Sequence, residues 1–328
     1  MSSHRSSEDD LIANYFAPIA GEGAYELKDD AASYTPRPGH DLILTTDALV
    51  EGGHFLPDDP PGSLARKALG VNVSDLAAKG AEPRGFLLTL ALPENWTEEW
   101  LAAFAAGLKE ASADFGCPLL GGDTVKARGA LTLSVTAIGE VPTGRMVRRT
   151  TAQADDLICV TGTIGDGALG LDLRFSPAWG PLLSSEERTF LTGRNRNPQP
   201  RFALATALRD HANAAMDVSD GLAGDLAKML RVSGVTGIVE TASVPLSPAA
   251  AHAVAVEPAL MDRVLTGGDD YEVLCTVSPD SIESFSTKAA QVGIALTVIG
   301  RVVSGDGLPL FRADGRERRY EHGSFSHF

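Results

Sequence analysis

The chain has 328 residues, 44% of them hydrophobic, enough for real cores and a better fit to two domains than to one. Its 28 lysines and arginines stand against 43 aspartates and glutamates, and the net charge of −15 repels phosphate backbones and anionic lipid, disfavouring nucleic-acid and membrane partners. Three cysteines without a CxxC pair, Cys117, Cys159 and Cys275, read as buried thiols of a cytoplasmic protein, and neither a signal-peptide core nor a long apolar run is present.

In chain order, β-branched and aliphatic runs predict strands at 41–46, 85–93, 130–141, 155–163, 271–277 and 296–303. The stretch "NVSDLAAKGAEP", 72–83, reads as an amphipathic helix running into a Gly stop. Ser74 and Asp75 sit in it where short polar side chains compete with the helical backbone. Over 97–115, Leu101, Phe104, Ala105, Leu108, Ala111 and Phe115 share one helical face, with Asn95 and Glu98 as a capping box and Gly116 as the stop. This alternation predicts an α/β fold of α+β layers. The polar, basic stretch 142–155 predicts a boundary that divides the chain into 1–145 and 146–328.

Acidic clusters stand at or near the predicted element ends: "KDD" 28–30, "TTD" 45–47, "VSD" 73–75, "GGDT" 121–124, "DVSDG" 217–221 and "GGDDYE" 267–272. Any one of them reads as a turn or an N-cap. Together they change the reading, because gathered carboxylates repel unless cations hold them, and Asp with Ser or Thr hydroxyls is a hard oxygen set suited to Mg²⁺. The paired glycines let backbone approach a ligand closely.

"GTIGDGALG", 162–170, matches GxGxxG through Gly165, Gly167 and Gly170. A dinucleotide there needs its pyrophosphate against the loop amides, where Asp166 is ill placed, so a tight strand-to-helix turn is the better reading. There is no GxxxxGK[ST], no protein-kinase motif set and no GxSxG.

The ordered set "TTDALVEGGHF", "ALGVNVSDLAAKGAEP", "LLGGDTVK", "VTGTIGDGALGL", "MDVSDGLAGDL", "TGGDDYEVL" and "HGSFSHF" resembles the thiamine-monophosphate kinases. They belong to the superfamily of aminoimidazole ribonucleotide synthetase, selenophosphate synthetase and a hydrogenase maturation factor. The resemblance implies a two-domain fold of the aminoimidazole ribonucleotide synthetase type: an N-terminal ATP- and Mg-binding domain with a barrel-like dimer interface, and a C-terminal α/β domain. It implies a homodimer that phosphorylates thiamine monophosphate with ATP by direct in-line transfer, using several Mg²⁺ ions, with room for a monovalent cation. Carried over by motif, Asp30, Thr45, Thr46, Asp47, Asp75, Asp123, Asp217 and Asp220 are metal positions. Gly121, Gly122, Asp123, Arg149 and Ser219 are ATP contacts, and His54, Asp269 and Phe325 lie on the thiamine phosphate side.

The chemistry agrees with this, since an acceptor phosphate is already ionised at neutral pH. No general base is then required, and Asp47, Asp75 and Asp123 would stabilise charge through Mg²⁺. Two departures stand out: Lys28 where the family usually has Gly, and Asp269 where it more often has Glu. Alternatives are another ATP-using member of the superfamily, although the terminal cysteines that selenophosphate synthetase and the hydrogenase maturation factor need are missing and the EGGHF and HF strings do not suit aminoimidazole ribonucleotide synthetase, and a silent module that binds thiamine phosphates or nucleotide.

Overall fold

The computed structural model describes residues 7–313 and 315–324. The chain divides into two compact units: one holds the residues up to Leu76 together with Glu82–Gly144, the other Ala77–Ala81 and the residues from Arg145 onward.

The first unit begins with the short helix α1 (Glu8–Leu11), closed by a capping box between Ser7 and Asp10. Strand β1 (His40–Val50) leads through a turn to helix α2 (Pro61–Ala78), strand β2 (Glu82–Leu92), helix α3 (Glu98–Phe115), strand β3 (Leu119–Lys126) and strand β4 (Thr132–Pro142). The sheet order is β1-β4-β2-β3, with β2 and β3 parallel and the other pairs antiparallel. Strand alternation sends Phe86, Leu88, Leu90, Leu133 and Val135 into the core with Leu69, Val73, Phe104 and Leu108 of the two helices. Helices α2 and α3 cross closely, for a Cβ on Gly107 would lie 2.4 Å from the Gly62 Cα.

Three sequence expectations need correcting here. Helix α2 is not amphipathic, because from Leu64 to Leu76 every residue is buried except Arg66 and Asp75. Helix α3 is capped by Thr97, whose side chain accepts from Trp100 N, and not by Asn95. "LLGGDTVK" is a continuous edge strand and not an element tip; a Cβ on Gly122 would lie 1.9 Å from the Leu88 carbonyl oxygen, so glycine is what lets β3 lie against β2.

The second unit runs β5 (Leu157–Thr161), α4 (Asp166–Leu173), α5 (Ser185–Arg196), α6 (Ala205–His211), β6 (Ala212–Asp217), α7 (Leu222–Ser233) and β7 (Thr236–Glu240). It continues with α8 (Pro248–Val256), α9 (Leu260–Thr266), β8 (Val273–Val277), α10 (Ile282–Gln291), β9 (Leu296–Val303), β10 (Leu310–Ala313) and β11 (Arg316–Arg318). Its sheet has the order β11-β10-β7-β9-β5-β8-β6. Alternate residues of β5 feed two cores: Ile158 and Val160 pack with α4, α7, α8 and α9 side chains, and Cys159 with those of α6 and α10. The result is a helix–sheet–helix sandwich. Cys159 and Cys275 are register partners across β5 and β8, and all three cysteines are free and buried. Among the described residues no helix is long and apolar enough to cross a membrane.

Candidate active site

In the first unit the predicted site residues fall into two groups. On β1, Thr45 and Asp47 share the face that meets α2, and Thr45 Oγ1 donates to Asp75 Oδ2 at 2.5 Å. Asp47 N donates to Asn72 Oδ1 at 3.1 Å, and Asn72 Nδ2 donates back to Ala68 O within the helix. The fully buried Asn72, which sequence reading missed, therefore sets β1 against α2. Thr46 points to the opposite face, donating to Val135 O and accepting from Thr136 Oγ1. His54 follows in a turn where Gly52 takes a φ of 83°. Its Nδ1 accepts from Val50 N at 3.1 Å, which puts the proton of the neutral ring on Nε2.

The second group lies at the other edge of the sheet. A cavity of about 230 Å³ is lined by Asp29, Asp30, Gly121, Gly122 and Asp123 over an apolar floor that includes Phe16, Leu27 and Leu88. The loop carrying Asp30 is closed at its base, where Ser33 N donates to Gly23 O and the Tyr25 hydroxyl bonds Ser33 Oγ at 2.6 Å. Tyr25, Glu26 and Leu27 are all in the left-handed region, and the exposed Lys28 pairs with Glu26. Just beyond, Tyr34 and Arg37 bond the buried Glu140. Burial opposes the charge on Glu140, but hydrogen bonds from Tyr34 and Arg37 outweigh it and hold its pKa at about 2.

Register separates the two groups. Asp47 pairs with Val135, Val135 with Leu88, and Leu88 with Gly122, so Asp47 and Gly122 stand three strand spacings apart, roughly 14 Å.

In the second unit the loop after β6 meets the loop before β8. Asp269 N donates to Ser219 O and Tyr271 N to Val218 O, both at 2.9 Å, which gathers Ser219, Asp220 and Asp269 beside the buried Asp217. The amides of Ser219, Asp220 and Gly221 converge on Asp225 Oδ2 at 3.1, 3.0 and 3.2 Å. Lys228 Nζ lies 2.5 Å from Asp220 Oδ2 and 3.0 Å from Asp225 Oδ1, so Asp220 already has a cationic partner. Burial raises the Asp225 carboxyl against the pull of Lys228. Arg149 is not gathered at these loop tips: it runs beside β6, where Ala215 N donates to Arg148 O and Ser233 Oγ to Arg149 O, and its side chain is exposed.

Asp269 has a φ of 70° and Tyr271 one of 52°. Asn195 Nδ2 donates to Asp269 Oδ2 at 2.9 Å, and the Tyr271 hydroxyl to Oδ1 at 3.2 Å. Asp270 is buried and accepts from Gly165 N and Gly167 N; burial pushes its carboxyl well up while those amides pull it down. Asn195, Asp225 and Lys228 are not among the residues the sequence singles out, and Asp270 stands there only as a member of the "GGDDYE" cluster. Phe325 lies outside the described residues. Among the described residues no three or more His, Cys, Asp or Glu side chains are grouped so as to hold a metal ion.

The family model described as AIR synthase related protein, N-terminal domain, matches residues 28–141, and its C-terminal counterpart matches 153–311. The thiamine-monophosphate kinase of Caulobacter vibrioides is 40% identical over 310 residues, covering 93% of this chain and 86% of the relative. The chain belongs to the thiamine-monophosphate kinase family. The crystal structure of the Stenotrophomonas maltophilia K279a thiamine-monophosphate kinase is similar with a TM-score of 0.79 at 38% identity, over 88% of this chain and 90% of that one. AaThiL complexed with AMPPCP and TMP is similar with a TM-score of 0.78 at 32% identity, over 92% of this chain and 91% of that one. For a thiamine-monophosphate kinase family member the two departures now have surroundings: Lys28 is tied to Glu26, and the shorter Asp269 is held by Asn195 and Tyr271.

Proposed function

We propose that this chain phosphorylates thiamine monophosphate with ATP, giving thiamine diphosphate and ADP. The observation that carries the reading is its likeness, along 92% of its length, to AaThiL complexed with AMPPCP and TMP. The acceptor oxygen needs no deprotonation at neutral pH, so the work left to the protein is to hold two anions in line and offset their charge.

The donor set fits Mg²⁺, since the first unit presents carboxylate and hydroxyl oxygens, among them the bonded pair Thr45 and Asp75. We assign Asp30, Thr45, Asp47, Asp75 and Asp123, with Asp217 and Asp220, to holding Mg²⁺; the Thr46 side chain, on the other face of β1, is left out of the set. When bound, Mg²⁺ would supply charge neutralisation to the phosphates. In the first unit Gly121, Gly122 and Asp123 serve the nucleotide, and His54 the thiamine phosphate. In the second unit Arg149 and Ser219 are assigned to nucleotide and Asp269 to thiamine phosphate.

A homodimer completes this reading. The outer face of the four-stranded sheet exposes Leu42 (42%), Leu44 (65%), Leu87 (40%) and Val125 (44%), apolar side chains that a partner sheet would cover. Two such sheets closed into a barrel with β1 of one copy beside β3 of the other would cover that face and bring the Asp47 and Asp75 group to the Asp30 and Asp123 group. Placement in the cytoplasm is supported by the free, buried cysteines, and the absence of nucleic-acid or membrane partners by the charge of −15.

The test is formation of thiamine diphosphate from thiamine monophosphate and ATP, with and without Mg²⁺. Folded protein that binds both ligands yet makes no product would overturn the reading.

A further inference from the structure

The glycines at 165, 167 and 170 imitate a dinucleotide fingerprint, and their contacts show what they serve. In a dinucleotide fold the first glycine allows a tight turn, the second a close approach to pyrophosphate, and the third close packing of the helix. Here Gly165, with a φ of 90°, is the N-cap of α4, and its amide donates to Asp270 Oδ2 at 2.7 Å. The Gly167 amide donates to Asp270 Oδ1 at 3.0 Å, and a Cβ on Gly167 would lie 2.2 Å from the Asp269 carbonyl oxygen. A Cβ on Gly170 would lie 2.0 Å from Leu191 O, so glycine there lets α5 come close. Helix α5 is the helix that carries Asn195 to Asp269. The group in the seat is the chain's own Asp270 carboxyl, which occupies the place a pyrophosphate would need.

A carboxylate on helix amides is by itself an ordinary cap. What sets this one apart is the backbone on either side of it, where Asp269 and Tyr271 both take left-handed conformations that non-glycine residues keep only when their surroundings hold them there. Asp270 is the anchor between them. Gly167 touches the Asp269 carbonyl, while Asn195 and Tyr271 aim the Asp269 side chain, so backbone and carboxylate are fixed independently.

We propose that Asp270, seated on the Gly165 and Gly167 amides, is a positioning residue that sets Asp269 toward the thiamine phosphate substrate. The inference rests on the reading that Asp269 faces that substrate, and the experiment separates the two. KM values for thiamine monophosphate and for ATP are measured for Asp270→Asn, Asp269→Asn and the double variant. An amide at 270 can accept from one glycine N–H but turns its own N–H toward the other, so the loop loses one of its two ties.

The expected result for Asp270→Asn is a rise in KM for thiamine monophosphate on the order of tenfold, with KM for ATP unchanged. It should add nothing further in the Asp269→Asn background, because residues acting through one another are not additive. If Asp270→Asn raises both KM values alike, or keeps its full effect when Asp269 is already changed, the positioning role is overturned. If Asp269→Asn alone leaves KM for thiamine monophosphate unchanged, the substrate reading of Asp269 fails and takes the inference with it. Should Asp270→Asn not fold, Gly167→Ala pushes on the Asp269 carbonyl without changing the buried carboxyl, and the same comparison decides.

Discussion

Thr45 donates its hydroxyl to Asp75 at 2.5 Å, tying the middle of an edge strand to the one acidic side chain on the otherwise buried stretch of α2. Asp75 is aimed by its partner and by the apolar residues around it, so replacing it should change chemistry more than fold. Asp75→Asn is expected to lower kcat by about 100-fold or more while shifting the melting temperature little. Thr45→Val, which keeps the shape and removes the bond, should cost about 1 kcal/mol of stability. Steady-state kinetics over a Mg²⁺ series, with thermal melts of the same samples, checks both.

Much of this was legible in the chain, and the failures have physical causes. Strands with alternating apolar residues, such as β2 and β4, were visible because one face is buried. Strand β3 reads as a polar tip because Gly121, Gly122 and Asp123 have little strand propensity, and only their fit against β2 makes them extended. The adjacent Thr45 and Thr46 looked equivalent as ligands, although alternation along a strand sends one toward Asp75 and the other to Val135. The roles of Asn72 and Asp270 are not legible because their partners are backbone amides in distant segments, whereas Asp225 meets amides only four to six residues before it, in a loop whose folding back is not announced by the sequence.

Glu140 gathers Tyr34 and Arg37 behind the loop that carries Asp30, and its pKa is held at about 2, below its ordinary 4.5. A depressed carboxyl contributes stability that is complete above the unfolded value and is lost as pH falls through the folded one. The protein should therefore lose on the order of 3 kcal/mol between pH about 4.5 and about 2 from this group alone. Glu140→Gln should be less stable at pH 7 and should flatten that part of the curve, as read by chemical denaturation at a series of pH values. An unchanged slope in the variant would show that the acid sensitivity arises elsewhere.

Asp225 satisfies three loop amides and pairs with Lys228, while Asp220 shares that lysine at the half-exposed end of the cluster. Asp225→Ala is expected to cost about 3 kcal/mol, because three donors and a cation lose one acceptor. Asp220→Asn should cost less than about 1 kcal/mol, as an exposed pair does. Denaturation midpoints of the two variants rank them directly, and an equal cost would contradict the role given to the buried acid.

Asp47 and Asp123 lie on opposite edges of one sheet, on strands β1 and β3, so a site that uses both, as proposed above, would have to be completed by a second copy. Leu44→Glu, placed on the exposed face, should yield monomers with little activity, seen by sedimentation. A sharper test mixes two inactive variants, Asp47→Asn and Asp123→Asn, after dissociation and reassociation. In a mixed dimer one site inherits both changes and the other inherits neither. Half of the dimers in an equal mixture are mixed, and each carries one intact site of two, so activity should return to about a quarter of wild type. If each copy held a complete site of its own, every site in the mixture would carry one change and no activity would return.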